Sequence, residues 1–109
     1  MRGARLVGAN LQQGSFEGAD LEKANLKAAD LSGATLAGAN LKGANLLKAD
    51  LRGARLNLAC LEEANLQEAN FEEANLLKAD LHGARLTGAC LIKADLREAN
   101  LTKDRKSVV

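Results

Sequence analysis

Ala39-Asn40-Leu41-Lys42-Gly43, Ala44-Asn45-Leu46-Leu47-Lys48 and Ala49-Asp50-Leu51-Arg52-Gly53 are three consecutive copies of one five-residue phrase. Read outward from them, Leu or Phe occupies every fifth position from Leu6 to Leu101, twenty times, with Phe16 and Phe71 the only departures from Leu. Ala stands two residues before each of these, and Gly14 is the sole exception. The residue between the two is polar: eight Asn, five Asp, three Arg, one Ser, one Thr and two Cys. A fixed internal period of this kind is the signature of a repeat architecture.

Ala and Leu are strong helix formers, but residues five apart on a helix are rotated by about 140°, which would spread the leucines around the whole cylinder. On an extended segment, Ala and Leu two residues apart share one face and the polar residue between them takes the other. The two residues after each Leu must then turn the chain. Nine of the ten glycines stand at the second of those positions, where a type II turn requires positive φ. The reading is short strand, corner, short strand, corner.

Charge settles the number of corners per coil, because residues one coil apart are lateral neighbours and opposite signs are favoured there. In the two corner columns a spacing of 20 gives seven opposite-charge pairs and no like pair: Arg2/Glu22, Glu22/Lys42, Lys42/Glu62, Lys48/Glu68, Arg52/Glu72, Glu73/Lys93 and Lys78/Glu98. A spacing of 15 gives three opposite and two like pairs, and 25 gives four opposite and five like. Four units per coil follow, and five coils at the roughly 4.8 Å spacing of neighbouring strands predict a rod about 24 Å long. Its interior holds the large side chains, represented by Leu6, Phe16, Leu31, Leu51, Phe71 and Leu91.

These units closely resemble the pentapeptide-repeat family, over residues 4 to 103. The resemblance implies an all-β fold, a right-handed quadrilateral β-helix of about five coils, here spanning 1–103, with 104–109 a C-terminal tail or the start of a cap. It implies little about function, since members range from uncharacterised bacterial and cyanobacterial proteins to gyrase-protecting DNA mimics. The mimics look like longer, strongly acidic rods. This chain carries 15 basic and 14 acidic residues for a net charge of +1, and about 24 Å of rod matches only about seven base pairs. The expected function is a noncatalytic solenoid scaffold or protein-interaction module, with a DNA-mimic, topoisomerase-binding role as the alternative.

The same charge balance lacks the basic field used for nonspecific nucleic-acid binding. No run approaches 18 apolar residues, and Met1-Arg2-Gly3-Ala4-Arg5 leads into repeats instead of an apolar signal segment. A cytoplasmic location, without membrane or nucleic-acid partners, is the expectation. Repeats running from the first residues to Lys103 also leave both coil ends open, and an end-to-end homodimer, a flanking domain or the segment Arg105 to Val109 is expected to cover them.

Candidate chemistry is sparse. Cys60 and Cys90 lie 30 residues apart, or one and a half coils, so they face opposite walls and cannot form a disulfide; as small side chains they replace Asn or Asp. His82 is the single histidine, and neither a catalytic triad nor three metal ligands can be assembled around it from Glu62 and Thr102, its column neighbours. No cofactor is expected. Glu62, Glu63, Glu68, Glu72 and Glu73 gather negative charge in the fourth coil, but most of them have Lys or Arg partners one coil away. Asp30 and Asp50 stack as like charges, which hydrogen bonds to nearby backbone amides would support. Asn25, Asn45 and Asn65 form a stacked polar column, read as a side-chain ladder. Arg5, Arg55 and Arg85 interrupt such columns, and Arg5 and Arg85 share a wall. Val7, Leu47, Leu58, Leu77 and Ile92 place apolar side chains at corners that are otherwise polar. With Arg5 and Arg85, they form the candidate partner surface.

Overall fold

The computed structural model describes residues 1–103. Each pentapeptide contributes one wall residue, flanked by an inward Ala and an inward Leu, and a two-residue corner. Sixteen parallel bridges join wall residues, every one offset by 20, in four columns: 5-25-45-65-85, 10-30-50-70-90, 15-35-55-75-95 and 20-40-60-80-100. Four walls per coil is thus the observed geometry, and the columns define walls one to four in that order. Corner residues 2 and 3 of each coil separate wall four from wall one.

Backbone hydrogen bonding accounts for four of the five amides in a unit. Leu46 N–H donates to Asn65 O at 2.7 Å, Lys48 N–H to Gln67 O at 2.9 Å, and Asn65 N–H back to Ala44 O at 2.9 Å, all between coils. The fourth bond closes the corner, as when Ala49 N–H donates to Leu46 O at 2.9 Å. Every second corner residue has φ between +58° and +75°, so the corners are type II turns. Eleven of them are not glycine, Leu58 and Ala28 among them, so the left-handed conformation is imposed by the ladder and not by residue choice alone.

The fifth amide explains the preference for Asn and Asp. In all thirteen units with an Asx wall residue, its Oδ1 accepts the N–H of the first corner residue: Leu47 N–H to Asn45 at 3.1 Å, Ser32 N–H to Asp30 at 3.0 Å, Arg52 N–H to Asp50 at 3.1 Å. Asn and Asp are selected for this two-residue-on bond. It confirms the expected role of Asp30 and Asp50. It also corrects the ladder reading of Asn25, Asn45 and Asn65: they stack through backbone bridges, while their side-chain oxygens accept the amides of Lys27, Leu47 and Gln67.

Inside, Leu and Ala from residue 21 to 81, with Phe71, form one continuous dry core, and among the described residues no polar or charged side chain is buried. Leu31, Leu51 and Phe71 are fully buried. Leu6, Phe16 and Leu91 pack on the same core but remain half-buried, because each belongs to a terminal coil with a neighbour on one side only. Leu101, at the last described coil edge, is 49% exposed. The expectations for a cap or tail at residues 104–109 lie outside the described residues.

Candidate interaction surface

A wall of wide, flat backbone carries function only through what its outward side chains present. Leu58, Val7 and Ile92 are exposed, at 63%, 57% and 60%, while Leu47 and Leu77 are half-buried. The structure does not join the five into one patch. Val7 and Leu47 share a corner column with Lys27 between them; Ile92 lies on the next corner, above Glu72. Leu58 and Leu77 meet at a third, where Leu58 N–H donates to Leu77 O at 2.9 Å. Beside them the amide oxygen of Asn57 is shielded from solvent and has no hydrogen-bond partner among the described residues. Arg5 and Arg85 do share wall one, but at opposite ends of it, four coils apart. The coherent feature is the Leu58/Leu77 corner with the unpartnered Asn57 oxygen.

The charged residues settle differently from their column pairing. Of the seven opposite-charge pairs, Arg2/Glu22 and Lys42/Glu62 close into contacts, the latter at 3.9 Å. Two other arginines turn to the wall residue two positions back: Arg52 Nη2 lies 2.6 Å from Asp50 Oδ2, and Arg97 Nη2 lies 2.8 Å from Asp95 Oδ2. Wall and first corner residues flank one inward Leu and project on the same side, so this short reach competes with the longer one to the next coil. The arginine hydrogen bond is the main reason the Asp50 carboxyl is held below its ordinary range, and it brings the Asp95 carboxyl down to about 2. Asp30 is lowered chiefly by the Ser32 amide and then by the Ser32 hydroxyl. Its other oxygen accepts from Gln12 Nε2 at 2.6 Å.

Both cysteines are free thiols on opposite walls, four and two. His82 Nδ1 lies 2.7 Å from Thr102 Oγ1, within the column expected for it. Three groups able to ligate a metal do converge across that column and the adjoining wall four: Glu62 from the column, and Cys60 and Asp80 from the wall. Sequence reasoning centred on His82 missed them because they belong to two columns and two coils.

A family model for pentapeptide repeats matches residues 1–36, 29–67 and 64–102, with eight copies. The chain belongs to the pentapeptide-repeat family. One similar solved structure is HetL, a pentapeptide repeat protein involved in heterocyst differentiation regulation from the cyanobacterium Nostoc sp. strain PCC 7120, with 39% identity over 91% of this chain and a TM-score of 0.87. Another is the pentapeptide repeat protein Rfr23 from the cyanobacterium Cyanothece 51142, with 42% identity over 82% of this chain and a TM-score of 0.77. The chain spans 47% of HetL and 59% of Rfr23. No curated protein sequence matches it. With these relatives the chain shares the right-handed quadrilateral β-helix. Among the described residues no helix is long and apolar enough to cross a membrane.

Proposed function

We propose that the chain is a noncatalytic scaffold that binds a protein partner at the corner formed by Leu58 and Leu77. The observation that carries this reading is one corner that holds two outward apolar residues, joined by the backbone bond from Leu58 to Leu77, together with an unpartnered amide oxygen, Asn57 Oδ1. A buried acceptor without a donor costs about 1–3 kcal/mol, which a partner's N–H or O–H would relieve. Apolar area beside such an acceptor is the makeup of an interface core.

The DNA-mimic alternative is disfavoured by the charge pattern. Net charge is +1, and arginines neutralise Asp20, Asp50 and Asp95 locally, so no wall offers the continuous negative field that imitates a duplex.

The test is cross-linking with affinity capture from native extract, followed by binding measurement with the purified partner. Leu58→Asn together with Leu77→Asn should reduce affinity at least tenfold with an unchanged far-ultraviolet spectrum. Equal binding by wild type and the double variant would reject the corner as the site.

A further inference from the structure

Sγ of Cys60 and one carboxylate oxygen each of Glu62 and Asp80 all lie within 4.8 Å of one another, and all three residues are half-buried. The register brings them together. Cys60 and Glu62 flank the inward Leu61 and project outward on the same side, while Asp80 bridges to Cys60 from the next coil. Zn²⁺ accepts both Cys thiolate and Asp or Glu oxygen ligands, so one thiolate with two carboxylates would supply three of four tetrahedral positions.

Two further features bear on this cluster independently. Asp80 Oδ1 accepts from His82 N–H at 3.0 Å, the bond every Asx wall residue makes, and also from Asn100 Nδ2 at 3.4 Å, so the carboxylate is held from its own corner and from the next coil. The same wall and corner two coils earlier, moreover, already clamp a cation. There Asp20 and Glu22 hold the guanidinium of Arg2, with Arg2 Nε 3.3 Å from Asp20 Oδ2 and Nη2 bonded to Glu22 Oε1. At Cys60 and Glu62 the equivalent place is held by Lys42, a shorter-reaching cation than the guanidinium of Arg2. Among the described residues the ammonium of Lys42 is the one basic group in contact with Glu62, at 3.9 Å.

We propose that Cys60, Glu62 and Asp80 form a binding site for a thiophilic divalent cation of the Zn²⁺ class, separate from the Leu58/Leu77 corner. Ligand atoms of one tetrahedral zinc ion stand about 3.5 Å apart, given bond lengths of about 2.0–2.3 Å. Rotamer adjustment of three half-buried side chains closes the difference, with no movement of the backbone. Cation binding displaces Lys42 from Glu62 and releases the Cys60 thiol proton to solvent.

Titration of the purified full chain with Zn²⁺ alone, and with Co²⁺ as a spectroscopic probe, tests the site. The expected results are one equivalent of Zn²⁺ by calorimetry and a thiolate-to-cobalt charge-transfer absorption that Zn²⁺ displaces. Cys60→Ser should abolish the absorption, and Asp80→Asn, which keeps the acceptor for His82 N–H, should weaken binding about tenfold or more. Cys90→Ser, on the opposite wall, should change neither. Absence of the absorption in the wild type, its persistence in Cys60→Ser, or its loss in Cys90→Ser would overturn the assignment. Unchanged thermal unfolding of the variants in chelator separates lost binding from lost fold.

Discussion

Gly14 and Phe16 are matched to each other: a β-carbon at Gly14 would stand 2.4 Å from Cε2 and 2.8 Å from Cζ of Phe16. Every other unit has Ala at that position, and the one vacancy lies under a benzyl ring that folds back over its own strand. Gly14→Ala should therefore displace the ring and destabilise the fold by about 1–3 kcal/mol, the usual cost of overpacking. In a Phe16→Leu background the clash is removed, and the same substitution should become neutral or slightly stabilising, since Ala restricts the unfolded chain. Denaturant unfolding of the four proteins in this cycle measures the coupling, and equal effects in both backgrounds would refute the pairing.

The thirteen Asx bonds make opposite expectations at different units. Asn45→Ala leaves the Leu47 amide without its acceptor at 3.1 Å and should cost about 1 kcal/mol. Arg55 stands at a wall position where, among the described residues, the Asn57 N–H donates to no such side-chain acceptor. Arg55→Asn should supply one and stabilise by about 0.5–1.5 kcal/mol. Chemical denaturation at neutral pH reads both. A loss at Arg55→Asn would show that the wall preference has another origin.

These two cases mark the limit of what the sequence discloses. The twenty-residue coil was legible because every Leu and every corner charge repeats in register, so each unit votes on one geometric parameter. Individual contacts were not legible, because they depend on competition within reach of a single side chain. Arg52 has Glu72 one coil away and Asp50 two residues back, and the shorter path wins at 2.6 Å. The role of Asn45 lay hidden for a similar reason: its stacking on Asn25 and Asn65 is visible in the period, while its bond to Leu47 N–H depends on turn geometry. The Cys60, Glu62 and Asp80 cluster crosses from a wall column to a corner column and between coils, so no single period exposes it. Gly14, by contrast, did carry a signal, as the one break in the Ala column beside one of the two Phe residues.

Acid sensitivity should trace to the arginine-held carboxylates. The Asp95 pKa is lowered from 3.8 to about 2, first by the Arg97 side-chain hydrogen bond and then by the Arg97 amide. A carboxyl whose folded pKa lies below its unfolded value adds stability above the unfolded pKa. That contribution is lost as pH falls through the folded one. The thermal midpoint should accordingly decline between about pH 4 and pH 2, and Arg97→Gln should shrink that decline by removing the first cause. Carbon-detected titration of the Asp95 carboxyl gives the direct reading, and a titration midpoint in Arg97→Gln as low as in wild type would exclude the arginine as the cause.

Leu58 combines an unfavourable backbone with an outward side chain, having φ of +62° and 63% exposure. Its column neighbours in the earlier coils, Gly18 and Gly38, adopt φ of +66° without a Cβ penalty. Leu58→Gly should consequently stabilise the isolated chain by about 1 kcal/mol although it deletes a large apolar side chain. Leu58→Val should destabilise it by a similar amount, because a β-branched residue tolerates positive φ worst. Ten other second-corner residues share this φ without being glycine, so what sets Leu58 apart is its exposed apolar side chain, and under the proposed function that side chain serves a partner. Partner binding should therefore fall in Leu58→Gly while its unfolding midpoint rises, and a fall in both would mean that Leu58 supports the tube by packing on Leu77.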